Sequence, residues 1–494
     1  MRIVRSKFIA TATGRVLDSR SADPFSPLFR DSASMARAGL TTPETVREYT
    51  AGGTATIIQS DTWSHALVAG FDGSRVSNVA DYHTPLPSAT TPDLGTAGGS
   101  ANLFSLRASS VAKLGDPDNV GATLTFSGEG SLLDYKPQAE VVALQGGTPI
   151  PQPSVQRQTT AAVAQANVSL ADAAYFAAGL RVERNEILGS STVSVLPMLG
   201  AAVVHDYGPL TLKLRSAYGR GIRPAANVAR ATAWFDPHGE SRELGLSPEE
   251  QSGIEAGVDL FVGRTFGFQV TRFDQLASGL IQRVAYAYTP QLQTAGVPEP
   301  SDHDDWSTTQ SVYGEDRHIE YAFQNVGEIT NRGWELKSDL NIAALSLTGT
   351  FSTVDSRVRR VAVGYTGDLQ VGDRMLEVPA KTGSLTAGFA GSSWGASITA
   401  SRSWDWINYD WVALAGAFSN STQTDAALVG QQLRNYWLKY SGVTRLRASV
   451  SKNLFRGIGF TLSGENLLNR QYGEPDNITV MPGRTISFGL KARL

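Results

Sequence analysis

Leu210-Thr211-Leu212-Lys213-Leu214-Arg215-Ser216-Ala217-Tyr218 is the stretch that decides the fold class. Successive side chains of an extended strand point to opposite faces, so Leu210, Leu212, Leu214, Ser216 and Tyr218 share one face and Thr211, Lys213, Arg215 and Ala217 the other. One face is greasy and the other charged. The same division recurs with Ile254, Ala256, Val258, Leu260 and Val262 against Glu255, Gly257, Asp259 and Phe261. It recurs with Trp334, Leu336, Leu340 and Ile342 against Glu335, Lys337, Asp339 and Asn341, and at the end with Ile486, Phe488, Leu490, Ala492 and Leu494 against Thr485, Ser487, Gly489, Lys491 and Arg493.

Outward from these strands, the connections alternate between short and long. Short turns fall near residues 169–172, 205–208, 262–264, 341–344, 390–394 and 452–457; long polar loops run over about 135–154, 221–250, 286–317, 355–381, 405–441 and 468–482. Strict parity of this kind has no reason in a soluble sandwich, but it is the pattern of an up-and-down barrel with short periplasmic turns and long external loops. Extending it to the N-terminus places strands near 2–13, 53–60, 65–73, 101–113, 119–131 and 156–168, with twelve more from about residue 173: about 18 in all, each long enough for a tilted β-span of a bilayer. The Ala-rich stretch from Thr159 to Leu180 has helical composition, but its place in the parity predicts a hairpin. Met1 to Gly14 interleaves basic with apolar residues and lacks the unbroken apolar core of a secretion signal, so it predicts a strand. The expectation is one transmembrane antiparallel β-barrel domain over 1–494, with an apolar face toward lipid and a charged face toward a hydrated lumen.

Composition agrees. Of 494 residues 41% are hydrophobic and only 18% charged, with Lys+Arg 43 against Asp+Glu 46, so the chain is neither a disordered polyelectrolyte nor equipped with the basic stripe that nucleic acid needs. No run reaches the ~18 apolar residues of a membrane-spanning helix. Zero cysteines exclude disulfides, thiolate metal sites and a cysteine nucleophile.

Toward the C-terminus, Gly464-Glu465-Asn466-Leu467-Leu468-Asn469-Arg470-Gln471-Tyr472, then Pro482-Gly483-Arg484-Thr485 before the last strand, resembles the penultimate-strand region of the TonB-dependent outer-membrane receptors. Three further segments are similar to landmarks of that family, in order. The first is Tyr218-Gly219-Arg220-Gly221-Ile222-Arg223-Pro224 with Leu246-Ser247-Pro248-Glu249-Glu250. The second is Asn325-Val326-Gly327 with Asn331-Arg332-Gly333-Trp334-Glu335, and the third is Val378-Pro379-Ala380. The resemblance covers residues 173–494. It implies an outer-membrane barrel, 22-stranded in the intact family, that takes up bulky scarce nutrients such as ferric siderophores, cobalamin or glycans. The uptake is driven through the TonB complex. It also implies the barrel-assembly machinery and the lipid bilayer as partners, a small-molecule or metal-chelate ligand, and no cofactor. Neither the family's TonB box nor its plug is found, so the expectation is the C-terminal barrel portion of a receptor, N-terminally truncated. An unplugged passive channel, or a structural or adhesive barrel, is the alternative.

Candidate sites follow from placement. Trp234, Phe235, Trp306, Tyr409 and Trp411 lie on external loops and are the substrate-contact candidates, whereas Trp404 and Trp406 sit where an aromatic girdle belongs. Gly489, Ala492 and Leu494 stand where the resemblance puts the barrel-assembly signal. Asp302-His303-Asp304-Asp305 is read as a solvated acidic loop rather than a metal site. Glu255, Asp259, Glu335, Lys337, Asp339, Arg445, Arg447, Lys491 and Arg493 fall on the lumen face. The six histidines show no HExxH spacing, and no Gly-x-Ser-x-Gly elbow or phosphate loop is present, so no catalytic site is expected.

Overall fold

The computed structural model describes residues 2–21, 44–80, 96–116, 118–137, 154–187, 190–223, 248–288, 318–419, 429–454 and 457–492. Among these, nineteen strands form one antiparallel sheet, and two further hairpins stand apart from it. The contacts divide the chain into two units, Met1–Val204 with Ala217–Gly219, and His205–Ser216 with Arg220–Leu494.

The first unit is a run of hairpins: β1 (Arg2–Arg5), β2 (Phe8–Ser21), β3 (Glu44–Ser60), β4 (Trp63–Ala80), β5 (Thr96–Asp116), β6 (Val120–Pro137), β7 (Val155–Leu170), β8 (Ala174–Ile187) and most of β9 (Ser190–Tyr207). Each pairs antiparallel with the one before it in sequence. The Ala-rich stretch is the β7–β8 hairpin, turning at Ala171 and Asp172 in left-handed backbone conformation. Residues 2–13 are not one strand. The chain turns at Ser6-Lys7 and sets Arg5 opposite Phe8. The apolar doublets Ile3-Val4 and Phe8-Ile9 fit either phase of an alternation, which hides a two-residue turn from a period-2 reading.

Register places Phe8, Ile57, His65, Ser110, Phe126, Ala164 and Leu180 in one row across β2 to β8, and Gly14, Ala51, Phe71, Phe104 and Leu132 in a second, nearer the long loops. This apolar face is the uncovered one: Phe104, Phe126 and Leu106 are each more than half exposed. A soluble protein buries such a face, whereas a membrane wall presents it to lipid. Trp63 and Phe71 mark the two aromatic edges on β4. They are about 26 Å apart along the strand, and a strand tilted ~40° then rises about 20 Å, close to the apolar band of an outer-membrane barrel. Beyond Phe71 the strands continue as a polar wall, where Arg47 pairs with Asp18 at 2.7 Å. The opposite face carries charge in a connected ladder. Glu129 accepts from Arg107 at 3.3 Å and also from Arg181; Arg181 meets Glu183 at 2.7 Å; Asn185 bridges Glu183 to the Thr159 hydroxyl.

The second unit holds β10 (Leu210–Arg223) apart from Ala217–Gly219, then β11 (Glu249–Val262), β12 (Phe266–Ser278), β13 (Ile281–Tyr288), β14 (His318–Asn325), β15 (Gly327–Ile342), β16 (Leu345–Val361), β17 (Lys381–Ala390), β18 (Trp394–Trp404), β19 (Trp406–Tyr409), β20 (Trp437–Tyr440), β21 (Thr444–Asn453), β22 (Ile458–Glu465) and β23 (Thr485–Ala492). β13 pairs only with β14 and β19 only with β20 among the described residues, so these two hairpins extend the long-loop end rather than the wall. Faces divide as the alternation predicts. Ile254, Val258, Trp334, Leu385, Ile486 and Phe488 are exposed on the apolar side. On the other side Asp259 is buried, bound at 3.1 Å by Arg215, whose guanidinium also donates to the Thr271 hydroxyl at 2.6 Å.

Two landmark glycines have geometric reasons. At Gly327, φ is +127° and a Cβ would lie 2.1 Å from the Arg360 carbonyl; at Gly333 it would lie 1.9 Å from the Thr353 carbonyl. Backbone passes where a side chain would be. Val326 between β14 and β15 is fully buried, and Asn325 donates to the Gly279 carbonyl at 2.5 Å, so this landmark is the junction where the outer hairpin returns to the wall.

Candidate functional site

Among the described residues of the second unit, the long-loop end holds a packed assembly of three connections: 362–380, 405–443 as far as described, and 466–484. Its apolar base is Val326, Ile329, Val358, Leu369 and Met375, all buried, with Tyr365, Val378 and Trp437 against them. The first connection turns back along β16, and the backbone N–H groups of Val358, Gly372 and Met375 bond to Asp373, Val358 and Ser356 carbonyls. A second cluster, Leu414, Ala417 and Leu433 with Tyr409, Trp411, Val429 and Tyr436, joins an apolar helix α1 (Trp411–Ser419) to the 3-10 turn Gly430–Tyr436. Asp410 caps that helix by accepting from the Ala413 N–H at 2.9 Å.

Between the two clusters lies a buried polar centre. The Asp368 carboxylate accepts at one oxygen from the Tyr409 hydroxyl at 2.6 Å and the Trp437 indole N–H at 2.8 Å. Arg434 grips Asp373 through its two terminal guanidinium nitrogens, donates to the Asp368 carbonyl at 2.9 Å, and stacks its charge 4.3 Å from the Trp437 ring centroid. This combines the bidentate fork with a cation–π contact, the geometry for which arginine is suited and lysine is not. The third connection is tied in by the Trp406 indole N–H on the Pro475 carbonyl at 2.9 Å, by Asn477 on Asp410 at 2.7 Å, and by Arg445 on Glu474 at 3.0 Å. Trp406 is buried, stacked nearly parallel on Tyr440. The penultimate-strand landmark closes the loop's neck. Asn466 and Asn469 both adopt left-handed backbone, and their side chains bond the Arg470 and Pro482 carbonyls and the Arg470 and Arg484 N–H groups.

Charges follow from these contacts. Burial first, then the adjacent Asp368 carboxylate, pushes the Tyr365 hydroxyl up to about 12 and the Tyr409 hydroxyl well above its ordinary value. Both are neutral phenols at any physiological pH, and Tyr409 is a fixed donor rather than a phenolate ligand. Burial alone would raise the Asp373 carboxyl, but the Arg434 fork and the Gln370 N–H outweigh it and hold it low. Asp405 is lowered by Lys439 and, further, by Arg374. Asp410 is lowered by the helix N–H of Ala413 and by Asn477.

Of the predicted contact residues, Tyr409 and Trp411 come together, edge to face at 5.3 Å. The Tyr409 hydroxyl is committed to Asp368; Trp411 is half-buried and its backbone N–H donates to Asn477 at 3.1 Å. Trp234, Phe235 and Trp306, and the acidic run Asp302 to Asp305, lie outside the described residues, as does Leu494. Gly489 and Ala492 lie on β23, opposite Thr461 and Ile458. Trp404 sits in the wall's aromatic row, 6.1 Å from Phe351. Asp368, Arg434, Trp437 and Asn477 escape the sequence reading; only the WLKY alternation around Trp437 is visible there. Among the described residues no three His, Asp or Glu side chains gather as a metal site.

Comparison with known proteins places this architecture. The chain is similar in structure to the siderophore receptor PirA from Acinetobacter baumannii at a TM-score of 0.67 and 12% identity, covering 99% of this chain and 69% of that one. It is similar to the ferric enterobactin receptor PfeA from Pseudomonas aeruginosa at 0.66 and 15%, covering 99% and 68%. The copper transporter OprC gives 0.63 and 11%, covering 99% and 69%. A search of curated proteins returns no match. The family model for the TonB dependent receptor-like beta-barrel matches residues 8–467, nearly the whole strand-forming chain, and with that match the chain belongs to the TonB-dependent receptor β-barrel family.

Proposed function

We propose that this chain forms the wall and ligand-capturing rim of an outer-membrane receptor for TonB-dependent uptake of a bulky metal chelate of the ferric siderophore class. The observation that carries the reading is the asymmetry of the two ends. In the second unit, turns of a few residues join the strands at one end, while the other end carries three connections packed into a preformed assembly around Asp368 and Arg434. Ordering loops in advance lowers the entropic cost of capturing ligand. Relatives of this fold include the siderophore receptor PirA and the ferric enterobactin receptor PfeA, which favours the ferric siderophore class over cobalamin or glycans. In this reading Trp411 and the neighbouring exposed Val412 on α1 offer the apolar contact surface, with Tyr409 as support behind them. Trp234, Phe235 and Trp306 are further contacts from the other loops. The energy for transport comes through the TonB complex, and the wall itself is passive.

The test is tryptophan fluorescence of the folded barrel titrated with a panel of ferric siderophores, repeated with Trp411→Phe. Saturable quenching by one chelate, reduced in the variant, is expected. Quenching by none, together with large ligand-insensitive conductance in planar bilayers, overturns the reading in favour of a passive channel.

A further inference from the structure

We propose that the lipid-facing side of the second unit, at the long-loop edge of its apolar band, holds a binding site for the phosphate-bearing headgroup of a bilayer lipid, built from Arg272, Lys381 and Arg402 with Trp334 and Trp404. The site rests on the wall's geometry and is independent of which nutrient is carried.

Register assembles it. Ala256, Arg272, Trp334, Thr353, Lys381 and Trp404 lie opposite one another in one row across β11, β12, β15, β16, β17 and β18. The next row toward the short turns holds Val258, Val270, Leu336, Phe351, Gly383 and Arg402 on the same face. That this face looks outward follows from the exposure of Trp334, Val258 and Phe351 and of Leu385 beneath them, while Asp259 and Thr271 on the other face are buried. The Trp404 ring covers Gly383, where a Cβ would meet it at 3.4 Å. Neighbouring strands are about 4.8 Å apart, so Lys381 and Arg402 are adjacent, and Arg272 stands three strands away from Lys381, about 14 Å, a separation that the two long side chains narrow from either side.

None of the three cations has a carboxylate partner among the described residues. Arg272 donates to the Gly333 carbonyl and lies 5.4 Å from the Trp334 ring centroid. Arg402 donates to the Ser441 carbonyl at 2.8 Å and more weakly to Gly442 and Thr444, and lies 5.9 Å from Trp404. Lys381 has no polar side-chain partner at all among the described residues, and it is exposed. The acids in the row above are already taken, Asp274 by Arg332 and Asp355 by Arg357. Elsewhere in this unit arginines near the long-loop end are neutralised: Arg374 by Asp405, Arg434 by Asp373, Arg445 by Glu474 and Arg360 by Glu328.

Cations left open on a membrane surface, beside two tryptophans of the interfacial row and directly above apolar side chains, match an amphiphile whose anionic head lies over its acyl chains. A neutral headgroup supplies no charge to meet them. A free anion in water has no use for the apolar rows below.

The experiment titrates the folded full chain in detergent with dioleoyl phosphatidic acid or dioleoyl phosphatidylcholine and counts adducts by native mass spectrometry. Wild type should bind phosphatidic acid saturably and phosphatidylcholine far less. The Arg272→Gln/Lys381→Gln/Arg402→Gln variant should weaken phosphatidic acid binding at least about tenfold, and Lys381→Gln alone about two- to fivefold. Lys337→Gln/Arg447→Gln, on the lumen face, should bind as wild type. Equal binding of the two lipids, unchanged binding by the triple variant, or an equal loss in the lumen-face control overturns the proposal. Should the triple variant fail heat-modifiability, Lys381→Gln decides alone, since no contact of that side chain holds the fold.

Discussion

The Tyr409 hydroxyl and the Asp368 carboxylate meet at 2.6 Å across 41 residues of sequence, and Trp437 donates to the same oxygen at 2.8 Å. Two connections of the long-loop end are thereby fixed to each other through one buried acceptor. A charged acceptor in a dry site makes each of these bonds stronger than a neutral pair, and leaves a steep cost when a partner is removed.

Tyr409→Phe should therefore loosen the assembly by about 1.5–3 kcal/mol without unfolding the wall. Hydrogen exchange should rise in 365–375 and 405–411 and stay unchanged in β15 and β16. Asp368→Ala, which orphans two donors, should loosen it more than Tyr409→Phe does; equal exchange in the two variants and wild type would contradict the role of this centre.

Arg434→Lys keeps the charge but loses the two-pronged grip on Asp373 and the planar stack on Trp437. A loss of about 1–2 kcal/mol in loop stability is expected, read as faster proteolysis of the loop region by a protease added to folded barrel. An Arg434→Gln variant that behaves like the lysine would show that geometry, not charge, is what matters here.

Acid should open the same assembly. Asp373, Asp405 and Asp410 all have carboxyls held below their ordinary value of 3.8 in the folded state, so folding favours their ionised forms. Their contribution is complete at neutral pH, begins to decline as pH falls toward 3.8, and is gone once pH passes below the depressed folded values. Near-ultraviolet circular dichroism of the loop tryptophans should fade over that window while far-ultraviolet strand signal persists. Asp405→Asn should flatten part of the dependence.

On the wall, Leu214→Arg puts a charge into lipid from a side chain that is half exposed on the apolar face. It should cost about 2–4 kcal/mol near mid-membrane and lower the yield of heat-modifiable, folded barrel. Lys213→Leu, one residue away on the other face, should assemble nearly as wild type.

Gly327→Val should impair the junction between the outer hairpin and β15, because its Cβ would fall within 2.1 Å of the Arg360 carbonyl at a φ of +127°. A Gly219→Val variant, which meets nothing within 4 Å, is the control, and comparable thermal stability of the two would refute the argument.

Much of this was legible in the sequence. Alternation at Leu210 to Tyr218 and Ile254 to Val262 gives the strands, the sidedness of lipid and lumen, and Asp259 as an inward charge. The parity of connection lengths gives the up-and-down order. What was hidden is local in sequence but not in space. The Ser6-Lys7 turn sits between doublets compatible with both phases. Among its described residues the loop at 405–441 holds two short strands, a helix and a 3-10 turn, each too short to show a period.

By itself the sequence determined the wall, because a strand's two faces are written residue by residue and need no partner to be read. The loop assembly, the Asp368 centre and the grouping of Arg272, Lys381 and Arg402 were decided only by the tertiary structure. Their members lie up to 130 residues apart in the chain and meet solely because register and packing bring them together.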